Sequence, residues 1–182
     1  MKKIVGISGS LRQGSFNAAL LRAAVELAPA TLSIEIGSIQ EIPLYNFDVE
    51  KNEGIPAAVS RLKDQIAAAD GLLLVTPEYN HSIPGVFKNA IDWLSRPPAD
   101  IPRVFGQRPV ALIGASPGNF GTLLSQNGWL ATLRTLGTRP WFGGSLYVSG
   151  AGKVFDESGA LIDPAIRERL RKYLQGFADF IG

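Results

Sequence analysis

Two short stretches of the 182-residue chain carry residue types that bind ligands rather than fill cores. The first is Ser8-Gly9-Ser10-Leu11-Arg12-Gln13-Gly14-Ser15-Phe16-Asn17. It follows the β-branched run KIVGI and runs into NAALLRAAVEL, whose apolar residues have helical spacing. A strand-to-helix turn needs a Gly and one cap, and this one has far more hydrogen-bond donors. Helix N-termini expose unpaired N–H groups and the positive end of the helix dipole, which together hold anions. Gly9 and Gly14 let the backbone approach a ligand. Ser10 and Ser15 supply hydroxyls, Asn17 an amide and Arg12 a forked cation. A phosphate monoester, with a charge of about −1.5 to −2 at neutral pH, matches this set. The plainer alternative stays open, in which Ser15 caps the helix and Arg12 is solvated. No Lys follows Gly14, so this is not a Walker-type loop. Gly6, Gly9 and Gly14 miss the dinucleotide spacing, and the second strand ends in Gly37 rather than an acid. A mononucleotide monophosphate fits better than either.

The second stretch is Thr76-Pro77-Glu78-Tyr79-Asn80-His81-Ser82-Ile83-Pro84-Gly85, after the apolar run GLLLV. Its two prolines fix an irregular backbone. Tyr79 offers an aromatic face, and the N–H groups from Glu78 to Ser82 are free to point into a cleft. A flat heteroaromatic ring wants both. An ordinary loop with a buried Tyr is the alternative. His81, the only histidine, is a candidate proton donor, with an unperturbed pKa of about 6.5, or simply polar lining. Gly114-Ala115-Ser116-Pro117-Gly118 matches the nucleophile-elbow pattern of hydrolases. Two features speak against that chemistry. The oxyanion hole needs an N–H on the residue after the serine, which Pro117 lacks, and the only His precedes Ser116. Gly118, Asn119 and Gly121 instead suggest a third flexible loop on the same cleft.

Strand and helix signals alternate along the chain and position these loops. Strands are expected at 3–8, 32–37, 71–75, 109–115 and 141–148, and helices at 16–28, 56–69, 85–95, 122–136 and 164–181. Residues 39–56 read as a loop rich in turn formers. Five β/α units in a single domain spanning 1–182 predict an α/β fold, a three-layer, doubly wound, five-stranded parallel sheet. Such sheets bind ligands beyond the C-terminal ends of their strands, where the loops after the first, third and fourth strands lie. Helix 85–95 is apolar on more than one face (Val86, Phe87, Ala90, Ile91, Trp93, Leu94). The sheet takes one face, and a second subunit or a bulky loop takes the other. There is no cysteine, which excludes thiolate nucleophiles and Cys-held metals. A net charge of +2 gives no reason to expect a nucleic-acid partner, and no apolar run is long enough for a membrane span.

GSLRQGSFN and TPEYNHSIPGVFKNAIDWLSR, with IPLYN in the 39–56 segment, resemble the signatures of the NADPH-dependent FMN reductase family, in particular the flavodoxin-like bacterial quinone, chromate and azo-dye reductases. The resemblance covers nearly the whole chain. It implies FMN as cofactor and NADPH or NADH as co-substrate. Hydride would pass from nicotinamide to flavin N5 and then to a small-molecule acceptor such as a quinone, chromate, an azo dye, a nitro compound or free flavin. It places the FMN phosphate on Ser10, Arg12, Ser15, Phe16 and Asn17, the ring against Pro77, Glu78, Tyr79 and Asn80, and Ser116 close to the flavin. No side chain need be catalytic. The resemblance further implies a homodimer or homotetramer in the cytoplasm, with no membrane or nucleic-acid partner. A flavodoxin-type electron carrier or a sensor without turnover is the alternative; the sequence pI of ≈ 9.0 is unlike the acidic carriers. The chain departs from the family at His81, where relatives often have Tyr, and in SPGNFGT, where they often have a double Gly. Both departures lie toward the substrate face.

Overall fold

The computed structural model describes all 182 residues. Its elements alternate as expected: β1 (Lys2–Ser8), α1 (Phe16–Leu27), β2 (Leu32–Gly37), α2 (Phe47–Glu53), α3 (Ala57–Ala67), β3 (Gly71–Val75), α4 (Gly85–Leu94), α5 (Ile101–Val104), β4 (Pro109–Ala115), α6 (Leu123–Thr135), β5 (Arg139–Pro140), β6 (Leu146–Val148) and α7 (Pro164–Ile181). The strands are all parallel in the order β2-β1-β3-β4-β5, with β6 also on β4. This is the flavodoxin-like order, with its switch point between β1 and β3. GLLLV is buried at every position because helices cover both faces of the sheet. One core lies between the sheet and α1 and α7, around Leu20, Leu174 and Phe177. The other lies under α3, α4 and α6, around Ile66, Phe87, Trp93 and Trp129.

Pairing Ser8↔Val75 levels the ends of β1 and β3, and pairings Val75↔Ile113 and Ala115↔Val148 carry β4 and β6 two residues further in the same direction. The loops after β1, β3 and β4 therefore leave the sheet side by side.

Three sequence expectations change. The fifth strand is not continuous over 141–148. It is two fragments on the same edge of β4, separated by a detour at 141–145. Trp141 folds back over its own Gly143 and Gly144 and over Gly176 of α7; a Cβ on Gly143 would sit 2.5 Å from the indole nitrogen. The detour leaves Leu112, paired with Leu74 on its other side, without a partner on the β5/β6 edge, and Tyr173 takes that place. The Leu112 N–H donates to the Tyr173 hydroxyl (3.1 Å), which donates to the Leu112 carbonyl (2.7 Å). Burial pushes the Tyr173 hydroxyl pKa upward, so the phenol stays a donor. Second, the 39–56 segment contains α2. Asn46 caps it by accepting from Asp48 N (2.8 Å), and Gly54 ends it at φ 85°. None of its residues is buried, so no apolar period announced it. Third, the second apolar face of α4 is covered by the chain itself. Trp93 is fully buried, donates to the Pro43 carbonyl (2.9 Å) and takes the edge of Tyr45 (4.9 Å between centroids). Tyr45 in turn bonds Glu50, which pairs with Arg96 (2.8 Å). That face of α4 gives no argument for a second subunit.

Candidate functional site

The first loop turns at Gly14, whose φ of +68° only glycine adopts without strain. Gly9 is pressed on α4: a Cβ there would lie 2.1 Å from Phe87. Ser15 caps α1, its Oγ accepting from Ala18 N (3.3 Å). With Ser15 as N-cap, the N–H groups of Phe16 and Asn17 precede the first helical acceptor. Those of Gln13, Gly14 and Ser15 likewise have no acceptor within the chain. Five consecutive backbone donors thus converge at a helix N-terminus. Beside them Arg12 has no carboxylate partner, and its guanidinium lies 5.5 Å from the Phe16 ring centroid. Both the cap and the solvent-facing cation of the plainer alternative are present, yet neither uses up the donors.

Asn17 behaves differently from its sequence reading. It is buried, and its amide is bonded in both directions to Ala115 at the end of β4, Nδ2 donating to the carbonyl and Oδ1 accepting from the N–H, each at 2.9 Å. Its main duty is to hold the start of α1 against β4, which sets the phosphate-type loop relative to the third loop.

In the second loop, Tyr79 and Ser82 exchange backbone hydrogen bonds (3.1 and 3.0 Å) around Asn80 and His81, both at positive φ (50° and 60°). Two left-handed central residues make this a tight hairpin turn. The expectation that every N–H from Glu78 to Ser82 is free is corrected here: those of Tyr79 and Ser82 each donate to the other's carbonyl, and those of Glu78, Asn80 and His81 are free. The Glu78 side chain is 8 % exposed and faces inward. One oxygen accepts from Leu124 N (2.9 Å) and Ser125 N (3.1 Å), the first-turn amides of α6. Thr122, at the N-cap position with φ 72°, supplies no cap, so a carboxylate from another loop replaces it at the positive end of the dipole. The other Glu78 oxygen meets His81 Nδ1 at 3.2 Å.

The start of the second loop is tied to α6. Trp129 Nε1 donates to Thr76 Oγ1 (3.0 Å), which also meets Ser125 Oγ (2.9 Å). Gly114 has no room for a Cβ, which would lie 2.1 Å from Thr122 Oγ1. Ser116 has its hydroxyl near the Gly118 carbonyl (3.4 Å), and the His81 ring is engaged with Glu78 and Phe120 instead, so the GxSxG stretch assembles no nucleophile.

The three loops enclose an open cleft of about 340 Å³. Ser10, Arg12, Ser15, Phe16, Asn17, Pro77, Glu78, Tyr79 and Ser116 all line it. Asn80 does not; it stands on the tip of the turn. The roles of Thr76 and Ser125, which tie the second loop to α6, and of the Ala115 main chain, which holds Asn17, escaped sequence reasoning, because neither a polar residue after a strand or inside a helix nor a main-chain group gives a signal of its partner. One end of the cleft is cationic and rich in amide donors. The other presents a tyrosine, a tight turn and free N–H groups.

Among known proteins, the family model for NADPH-dependent FMN reductases matches residues 2–153. The chain is 48% identical to an NAD(P)H-dependent FMN reductase of Pseudomonas aeruginosa, over 95% of this chain and 91% of that one. It is 40% identical to a quinone reductase of Escherichia coli, over 98% and 95%. The solved structure of FerB, a flavoenzyme NAD(P)H:(acceptor) oxidoreductase from Paracoccus denitrificans, superimposes with a TM-score of 0.88 at 34% identity, covering 100% of this chain and 97% of that one. The chain belongs to the NADPH-dependent FMN reductase family.

Proposed function

We propose that residues 1–182 form one FMN-binding unit that uses NADPH or NADH to reduce quinones and related small acceptors. The observation that carries this reading is the run of five unpaired backbone amides beside the unpartnered Arg12, set one strand away from a turn with free N–H groups. The donor set fits FMN. Arg12, the Ser10 and Ser15 hydroxyls and the amides of residues 13–17 would hold its phosphate. The Pro77–Asn80 stretch would hold its ring, with the Glu78 and Asn80 N–H groups available to ring heteroatoms, and Ser116 would close the far side. Bound FMN supplies two-electron hydride chemistry between a nicotinamide and an acceptor. The chain's share is to bind, orient and position. Asn17 fixes the start of α1 to the end of β4, and Glu78 fixes the second loop to the first turn of α6. His81 Nδ1 faces Glu78, leaving Nε2 as the ring's one atom that could pass a proton to a reduced acceptor.

Names among the relatives point to the acceptor class: a 2-hydroxy-1,4-benzoquinone reductase of Burkholderia is 40% identical. Chromate, azo dyes, nitro compounds and free flavin belong to the same proposal. So do a cytoplasmic location, where reduced nicotinamides are supplied, and a homodimer or homotetramer. Leu44 and Phe47, 81 and 55% exposed beside α4, supply an apolar surface for such an assembly. No helix is long and apolar enough to cross a membrane.

A visible spectrum before and after anaerobic NADPH tests the reading. A flavin band near about 450 nm that bleaches supports it. A band that persists favours an electron carrier or sensor. A protein that takes up no FMN overturns it.

A further inference from the structure

We propose that Phe120 and His81 form the wall that selects flat aromatic acceptors, an inference that rests on the flavin-reductase reading above. The two loops that rim the cleft meet at one contact, the edge-to-face pair of His81 and Phe120, with centroids 5.8 Å apart and planes at 86°. Both rings are exposed and stand on the rim, outside the lining of the cleft itself, the His81 side chain 68% and Phe120 55% exposed. His81 sits at the second central position of a tight turn, and its Nδ1 is braced by Glu78, which is itself fixed to the first turn of α6. Phe120 precedes Gly121, whose backbone lies against β6: a Cβ there would be 2.7 Å from the Tyr147 carbonyl carbon, and the φ is +55°. On the other side of Phe120, the Gly118 carbonyl accepts from Gly150 N (3.2 Å) and Ser116 is bonded to Val148 and Ala151, so the loop is anchored at both ends.

Phe120 is 55% and Tyr79 45% exposed, on the two loops that rim a polar cleft. Aromatic surface in contact with water is favourably covered by another ring, edge-on or offset. The anion-binding end of the cleft is at the opposite side, on Arg12, so the rim is where an uncharged planar molecule gains most. Quinones have the required flat π face. Ferricyanide, an octahedral hydrophilic anion, has none and gains nothing from the wall.

The test uses the FMN-loaded protein and compares Phe120→Ala with the unaltered chain, with menadione and ferricyanide as acceptors. Phe120 is exposed, so the variant keeps its core and its flavin absorbance. The expected result is a menadione KM raised about three- to tenfold, the scale of one lost aromatic contact, with kcat and the ferricyanide KM within about twofold, and recovery in Phe120→Tyr. An unchanged menadione KM overturns the inference. An equal rise for both acceptors overturns it too, since that marks a disordered loop rather than a wall. If the unaltered protein binds no flavin, or binds flavin that NADPH does not bleach, the flavin-reductase reading fails first and the inference with it.

Discussion

Replacing Asn17 by Ala separates a residue that holds the site together from one that touches the ligand. The Asn17 side chain is 4% exposed, and its amide makes two 2.9 Å hydrogen bonds to the main chain of Ala115, itself 3% exposed. Each such bond contributes about 0.5–1.5 kcal/mol net, and a buried group left without its partner costs about 1–3 kcal/mol. Asn17 also borders the cleft, so water can enter and repair part of the loss. The expected cost is therefore about 2–3 kcal/mol. For a chain of this size that lowers the unfolding temperature by about 4–12 °C. Urea unfolding of the flavin-free protein is the right assay, because bound ligand would add its own stabilisation. Ser15→Ala, which removes a cap on the same helix without the bridge to β4, serves as the control at about 1 kcal/mol. A loss below about 0.5 kcal/mol in Asn17→Ala would refute the bridging role. If FMN affinity fell sharply with stability unchanged, Asn17 would be a ligand group after all.

Other outcomes follow from the same structure. Arg12→Ala removes the one cation at the amide cluster without touching the core; FMN affinity, measured by fluorescence quenching, is expected to fall by about tenfold or more, from the loss of a charge-assisted bond of about 1.5–3 kcal/mol, with unfolding of the flavin-free protein unchanged. Tyr173→Phe leaves the Leu112 N–H and carbonyl facing the strand gap unpaired and is expected to cost about 1–3 kcal/mol in urea unfolding. Acid should weaken the fold through two carboxylates. A hydrogen bond from Arg96 holds Glu50 below its ordinary pKa, and one from Lys63 does the same for Asp100. A carboxylate depressed in the folded state stabilises fully above its unfolded pKa, about 4 for these groups, and loses that contribution as pH falls through the lower folded value. Stability against urea should therefore decline below about pH 4.5, and more gently in Glu50→Gln, which keeps an acceptor for Tyr45 but cannot titrate.

Much of this molecule was legible because its signals are local. GLLLV announces a strand covered on both faces, and Asp163-Pro164 announces the start of α7, where Asp163 Oδ1 accepts from Ile166 N at 2.9 Å. The Gly and Ser content of residues 8–17 announced a donor-rich turn, and the structure shows N–H groups there without partners in the chain. The failures share the opposite property. The break in the fifth strand depends on Trp141 meeting Gly176, far along the chain, and on Tyr173 standing in for a strand. The cover over α4 depends on Trp93 finding Pro43. Helix α2 had readable caps but no buried face, so periodicity could not reveal it.

The site shows the same division at finer scale. Residue types told which stretches carry chemistry, and they did not tell how each side chain is used. Glu78 and Asn17 both read as ligand contacts. Both line the cleft, and each also spends side-chain polar atoms on the backbone of another element, Glu78 on the amides of Leu124 and Ser125 in α6 and Asn17 on Ala115 of β4. This follows from what the cleft must do. A cofactor held by backbone N–H groups is held only as well as the backbone is placed, and three loops leaving separate strands have no ladder to place them. Buried side chains with two-ended hydrogen bonding, an amide and a carboxylate, cross-link them instead. On the proposed reading, the motif residues are thus partly the scaffold, while direct recognition would fall largely to main-chain groups whose identity no side chain encodes.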